Sequence, residues 1–210
     1  MMFTNKKAVI FDMDGVVIDS EGCWSIAERE VFTSLGVKMT EENCLLTRMM
    51  TVSEASNFWF EKCPWSNVSV QAAEQMVVAR VIELIKTGDC EIAHVREFIQ
   101  YLKSLGCKIG LATNSPAYLI PICLERAAIA DLFDVVSSAE DEANGKPHPD
   151  VYLTTAKKLE VRPEDCVVIE DSYHGLQAGK SAGMTVIGFT NGRREITFDI
   201  ADYMLHSYVL

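Results

Sequence analysis

Five short apolar runs punctuate the chain: AVIF (8–11), KIGLAT (108–113), FDVVSS (133–138), CVVIED (166–171) and TVIGFT (185–190). Each has the length of one strand and the Val and Ile content of a strand buried in a parallel sheet. Helical patterns lie between the runs. HVREFIQYLKSLG carries Val95, Phe98, Ile99 and Leu102 on one face and stops at Gly106. SPAYLIPICLERAAI follows the second run, with an irregularity expected at Pro121. HPDVYLTTAKKLEV and DSYHGLQAGKSAGM fill the next two gaps. Strict alternation of strand and helix predicts an α/β fold, an open, doubly wound, Rossmann-like parallel sheet.

Residues 18–88 break the rhythm with long helical patterns, CWSIAEREVFTSLG and QAAEQMVVARVIELIKTG, and no clear strand. A length of 210 residues allows one core with a smaller inserted domain. The expected organisation is therefore an α/β core from residues 1–17 and 89–210, and a helical domain at 18–88. The final stretch, NGRREITFDIADYMLHSYVL, carries no legible pattern.

The formal net charge of −11 argues against a nucleic-acid partner, though a metal or a lysine can reverse the field inside one pocket. No run of about 18 apolar residues predicts a membrane span, and MMFTNKK lacks a signal-peptide core. Seven cysteines without a C-x-x-C pair read as reduced thiols, so a cytoplasmic protein is expected, monomeric by default.

In a doubly wound sheet, ligands bind outside the carboxyl ends of the strands. The polar residues that finish these strands should therefore meet. They are Asp12 and Asp14 after the first run, Thr113 and Asn114 after the second, and Glu170 and Asp171 after the fourth, with Lys146 in the GKPHP loop after the third. Carboxylates crowded at one crevice repel one another unless a cation sits among them, and an all-oxygen set suits Mg²⁺. Lys146, a hydroxyl and helix-start amides offer donors to a tetrahedral oxyanion. A carboxylate facing that oxyanion can act as nucleophile, so the set describes phosphoryl transfer through an aspartyl-phosphate.

The same motifs resemble those of the haloacid dehalogenase superfamily, in order and across essentially the whole chain. FDMDG implies Asp12 as nucleophile and Asp14 as general acid/base, with the Asp14 backbone carbonyl on the metal. LATNS implies that Thr113 and Asn114 bind the phosphoryl group, and GKPHP implies that Lys146 neutralises nucleophile and phosphate. IEDS implies Asp171 as a direct metal ligand, supported by Glu170. Dehalogenation is not expected, because dehalogenases of this superfamily lack the second aspartate that Asp14 supplies.

The insertion resembles the small helical cap of the branch that includes β-phosphoglucomutase and sugar-phosphate phosphatases. Mutases of that branch carry a histidine on the first cap helix where this sequence has Trp24, in DSEGCW. Tryptophan cannot move that proton but can stack on a sugar, which favours hydrolysis. The pattern is most similar to hexitol- and 2-deoxyglucose-6-phosphate phosphatases. The resemblance implies a Mg²⁺-dependent phosphatase of hexose or hexitol phosphates, the alternatives being a sugar phosphomutase or a non-catalytic phosphate-binding protein. Two departures stand out. TRMMTVSE, with the loop Arg48–Thr51, replaces the usual glycine followed by arginine or serine, and CEIAHV replaces the usual Pro-Gly re-entry. Trp59 and Trp65 are expected to pack inside the helical domain rather than touch a substrate.

Overall fold

The run Ala8–Phe11 forms strand β1, buried along its whole length, and β1 is the middle of everything that follows. A computed structural model of the chain describes residue 3, residues 5–47 and residues 50–209. It divides into two units, Met1–Asp19 with Cys90–Leu210, and Ser20–Asp89. The chain leaves the first unit at Asp19 and returns at Cys90, whose carbonyl accepts from the Asp19 N–H at 2.9 Å.

The second unit holds α1 (Glu21–Ser34), α2 (Glu41–Thr47), α3 (Val52–Lys62) and α4 (Val70–Thr87). Helix α1 buries Cys23, Ala27, Val31 and Phe32, and α4 buries Ala73, Val77, Val78, Val81 and Ile85. These are the stripes of amphipathic helices. Trp59 and Trp65 are buried. Trp65 packs on the rings of Phe32 and Phe60, and Trp59 edge-on to Phe58, so both serve packing, as the sequence predicts.

Thr51 has a local structural task. Its hydroxyl accepts from the Glu54 N–H at 3.2 Å while the Glu54 carboxylate accepts from the Thr51 N–H at 2.8 Å, a capping box that starts α3. Arg48 and Met49, in the same loop, lie outside the described residues. Thr51→Ala is expected to lower stability by about 1 kcal/mol, the worth of one N-cap. A thermal melt would read this as a fall of roughly 2–4 °C for a chain of this size.

The first unit continues with α5 (Val95–Ser104), β2 (Lys108–Thr113), α6 (Ile120–Arg126), β3 (Val135–Ser138), α7 (Asp150–Lys158), β4 (Cys166–Glu170), α8 (Tyr173–Ser181), β5 (Thr185–Phe189) and β6 (Tyr203–Leu205). All strands are parallel, in the order β3-β2-β1-β4-β5-β6. The order reverses where β1 meets β4, and the carboxyl ends there border the crevice in which such sheets bind ligands. Successive side chains point to opposite faces. Ile10, Val168 and Val186 therefore meet Tyr152 and Ala156 of α7 and Leu176 of α8 in one core layer. Phe11 joins Phe98, Phe133 and Tyr208 in an aromatic cluster, in which Tyr208 also stacks on Phe189 at 4.4 Å.

Three details differ from the sequence reading. A sixth strand, β6, lies in the final stretch that carried no pattern. The third strand starts at Val135 because the Asp134 carboxylate turns back to accept from the Ile109 N–H at 2.7 Å. The irregularity at Pro121 is a change of helix type. Ala117–Leu119 is a 3₁₀ turn, and Pro121 sits in the first turn of α6, where its missing N–H costs nothing.

All seven cysteines are free thiols. Among the described residues, no helix is long and apolar enough to cross a membrane.

Candidate active site

Strand β1 ends at Phe11, so Asp12 is the first residue past the sheet, and its N–H still bonds the Ile169 carbonyl of β4 at 3.0 Å. That bond places Asp12 beside Glu170, the last residue of β4, and both side chains are buried. Lys146 comes from the loop before α7 and is also buried. Its ammonium donates to Asp12 Oδ1 at 2.6 Å, to Glu170 Oε1 at 2.7 Å and to the Ala112 carbonyl of β2 at 2.9 Å. All three ammonium protons are thereby used.

Glycines make room for two of the carboxylates. Gly15 has φ +72, and a Cβ there would lie 2.0 Å from Asp171 Oδ2. Only glycine both adopts that backbone readily and admits the carboxylate. A Cβ on Gly175, in the first turn of α8, would fall 1.7 Å from Glu170 Oε1.

Asp12, Glu170 and Asp171 each offer an oxygen within 4.8 Å of the others. Burial pushes the Asp12 carboxyl above its ordinary range, against the pull of Lys146, and the charges of Glu170 and Asp14 push it further up. Burial alone would push Lys146 down, but Asp12 and Glu170 outweigh it and raise the ammonium to about 12. One lysine is thus set among more carboxylates than it can balance. The surplus is all oxygen and suits a hard divalent cation.

Asp14 accepts from the Ser115 hydroxyl at 2.7 Å. The Ser115 N–H donates to Thr113 Oγ1 at 3.0 Å, and the Ser115 carbonyl accepts from the Ser138 hydroxyl at 2.7 Å. Thr113 is buried at the end of β2 and keeps its own hydroxyl proton as a donor. Asn114 spans the backbone of Lys146, accepting from its N–H at 2.9 Å and donating to its carbonyl at 3.3 Å. Its side chain positions the lysine loop. Trp24 lies on α1, in the other unit, half-buried.

Sequence reasoning did not single out Ser115, Ser172 or Tyr152. Ser115 had a signal, since it follows Thr113 in LATNS. Ser172 caps α8 through the Gly175 N–H at 3.0 Å while its own N–H and hydroxyl hold Glu170 Oε2 at 3.0 and 2.9 Å. Tyr152 reads from its spacing as part of the apolar face of α7, with nothing to mark it.

The fold is that of a doubly wound α/β protein with carboxylates and a buried lysine gathered at the switch point of its parallel sheet. Residues 6–183 match the family described as haloacid dehalogenase-like hydrolase. The chain is 37% identical over 203 residues to hexitol phosphatase B of Escherichia coli (strain K12), covering 95% of this chain and 91% of that one. It is 30% identical to the β-phosphoglucomutase of Bacillus subtilis (strain 168), covering 92% and 88%. It also superposes on CbbY from Rhodobacter sphaeroides, solved in complex with phosphate, with a TM-score of 0.85 at 25% identity over 97% and 95% of the two chains. The chain belongs to the haloacid dehalogenase-like hydrolases and has their fold.

Proposed function

We propose that the protein is a Mg²⁺-dependent phosphatase of small phosphate monoesters, acting on hexose or hexitol phosphates such as 2-deoxyglucose 6-phosphate. The observation that carries this is the Lys146 ammonium fixed between Asp12 and Glu170, with an Asp171 oxygen close by. Asp12 is the nucleophile, and Lys146 fixes the orientation of its carboxylate. The reacting oxygen forms a bond to phosphorus as the ester oxygen leaves, giving an aspartyl-phosphate and a free alcohol. Asp14 gives its proton to that leaving oxygen, then takes one from the water that hydrolyses the acyl phosphate. Ser115 holds Asp14 for both transfers. Thr113 and the backbone at Asn114 bind the phosphoryl oxygens, and Lys146 spreads their charge.

Asp12, Asp171 and the main-chain carbonyl of Asp14 would hold the metal, with Glu170 supporting it. The metal would supply charge neutralisation between nucleophile and phosphate. The helical insertion, residues 18–88 by sequence, serves as the cap that reads the leaving group, and Trp24 stacks on its sugar. The protein works as a cytoplasmic monomer on a small phosphorylated substrate, without nucleic acid or membrane. The similarity to hexitol phosphatase B supports this choice of substrate.

The test is phosphate release from a panel of hexose, hexitol, pentose and nucleotide monophosphates. Release is expected to rank hexitol and hexose phosphates first, to vanish with a chelator and to return with Mg²⁺. A folded protein that binds Mg²⁺, releases nothing and interconverts sugar-phosphate isomers would instead be a mutase, the activity that names the Bacillus subtilis relative. Trp24, in place of the mutase histidine, argues for release.

A further inference from the structure

Glu170 is wholly buried, and every acceptor direction of its carboxylate is taken. Oε1 accepts from Lys146 at 2.7 Å and from the Tyr152 hydroxyl at 3.0 Å, and Oε2 accepts from the Ser172 N–H and hydroxyl. The Tyr152 ring lies against the same lysine, with Nζ 4.8 Å from its centroid. Tyr152 thus touches both partners of one ion pair, the ammonium through its π face and the carboxylate through its hydroxyl.

The other fully buried tyrosine shows what an ordinary packing tyrosine does here. Tyr208 stacks on Phe189 and donates its hydroxyl to the Val16 backbone carbonyl at 3.0 Å. Tyr152 could do likewise, or be phenylalanine and fill the same layer of the core without a buried hydroxyl to satisfy. Instead its one donor goes to the Glu170 oxygen that also accepts from Lys146, the lysine bonded to the proposed nucleophile.

We propose that Tyr152 is a positioning residue for the phosphatase reaction, keeping Glu170 in the rotamer that aims the Lys146 ammonium at Asp12. The inference rests on the proposed roles of Asp12 and Lys146. Without the hydroxyl, Oε1 loses one of its two donors, and Glu170 can tilt and draw Lys146 away from Asp12. Binding of the sugar, which does not depend on that aim, is left alone.

The test is Tyr152→Phe, which keeps the ring and removes only the donor, studied alone and with Glu170→Gln. With the best substrate of the panel, kcat is expected to fall about 10-fold, the lower range for a hydrogen bond to a charged group, with KM within about twofold. In the Glu170→Gln background the same substitution is expected to change kcat by less than about twofold, because the carboxylate it acts through is gone. A role in packing alone predicts equal effects in both backgrounds and overturns the proposal. So does an unchanged kcat in the single variant.

Detection of the Lys146 ammonium by ¹H–¹⁵N NMR gives a readout that needs no turnover. In the parent protein its three bonded protons are expected to exchange slowly, and in Tyr152→Phe the signal is expected to broaden or shift. If the parent protein releases no phosphate but the signal changes, the phosphatase reading fails, while the hold of Tyr152 on the Lys146 ammonium through Glu170 is retained. If release is normal and neither kcat nor the signal responds, the positioning role fails alone.

Discussion

Asp12→Asn is expected to lower kcat by ~10⁴-fold or more while the protein stays folded, because it removes the nucleophile and little else. Asparagine has the shape of aspartate, and its amide oxygen can still accept from Lys146. That lysine keeps Glu170 at 2.7 Å and the Ala112 carbonyl at 2.9 Å as partners. No buried charge is left unpaired, so the melting temperature measured without metal is expected to match the parent's. Steady-state phosphate release and a thermal melt on the same preparation check both halves. Turnover within tenfold of the parent would mean that Asp12 does not attack phosphorus.

Lys146→Met carries the second large effect, and here stability and activity fall together. The ammonium is bonded to the buried carboxylates of both Asp12 and Glu170. Methionine fills similar volume but leaves both buried carboxylates without the ammonium's charge. Removing one partner of a buried ion pair costs about 3–5 kcal/mol. The unfolding free energy is expected to drop by that amount in chelator and by less in millimolar Mg²⁺, which would share the surplus negative charge. Activity is expected to fall by ~10³-fold or more, the loss typical of a preorganised charge at the transition state. Denaturant melts with and without Mg²⁺ test the first point. A variant as stable as the parent in chelator would show that Lys146 is not what balances the crevice.

Most of the sheet was legible because β1, β2, β4 and β5 are buried over nearly their whole length, so each shows as a short apolar run flanked by turns. β6 escaped for the opposite reason. It is an edge strand of three residues, with Tyr203 exposed and Met204 and Leu205 only half-buried. The start of α3 was hidden because Thr51 looks like part of a substrate loop until the Glu54 carboxylate is seen folded back on it.

The candidate site was legible where chemistry and topology coincide. Asp12, Asp14, Thr113, Glu170 and Asp171 each follow or end a strand, and a parallel sheet brings strand ends together. Residues that support them from helices leave no such mark. Tyr152 occupies an apolar position in the α7 pattern, and only coordinates reveal its hydroxyl on Glu170. Ser172 caps α8 and also holds Glu170. Asn114 shows the limit from the other side. Its place in LATNS implies phosphate binding, while its side chain is engaged with the Lys146 backbone.

The measurement closest to the central claim is an acid quench of the enzyme during turnover, followed by peptide mass spectrometry. A covalent phosphoryl group on Asp12 is the result predicted, present with substrate and Mg²⁺ and missing from Asp12→Asn. Phosphate release at full rate with no phosphoryl group trapped on Asp12, or with one found on another residue, would contradict the account.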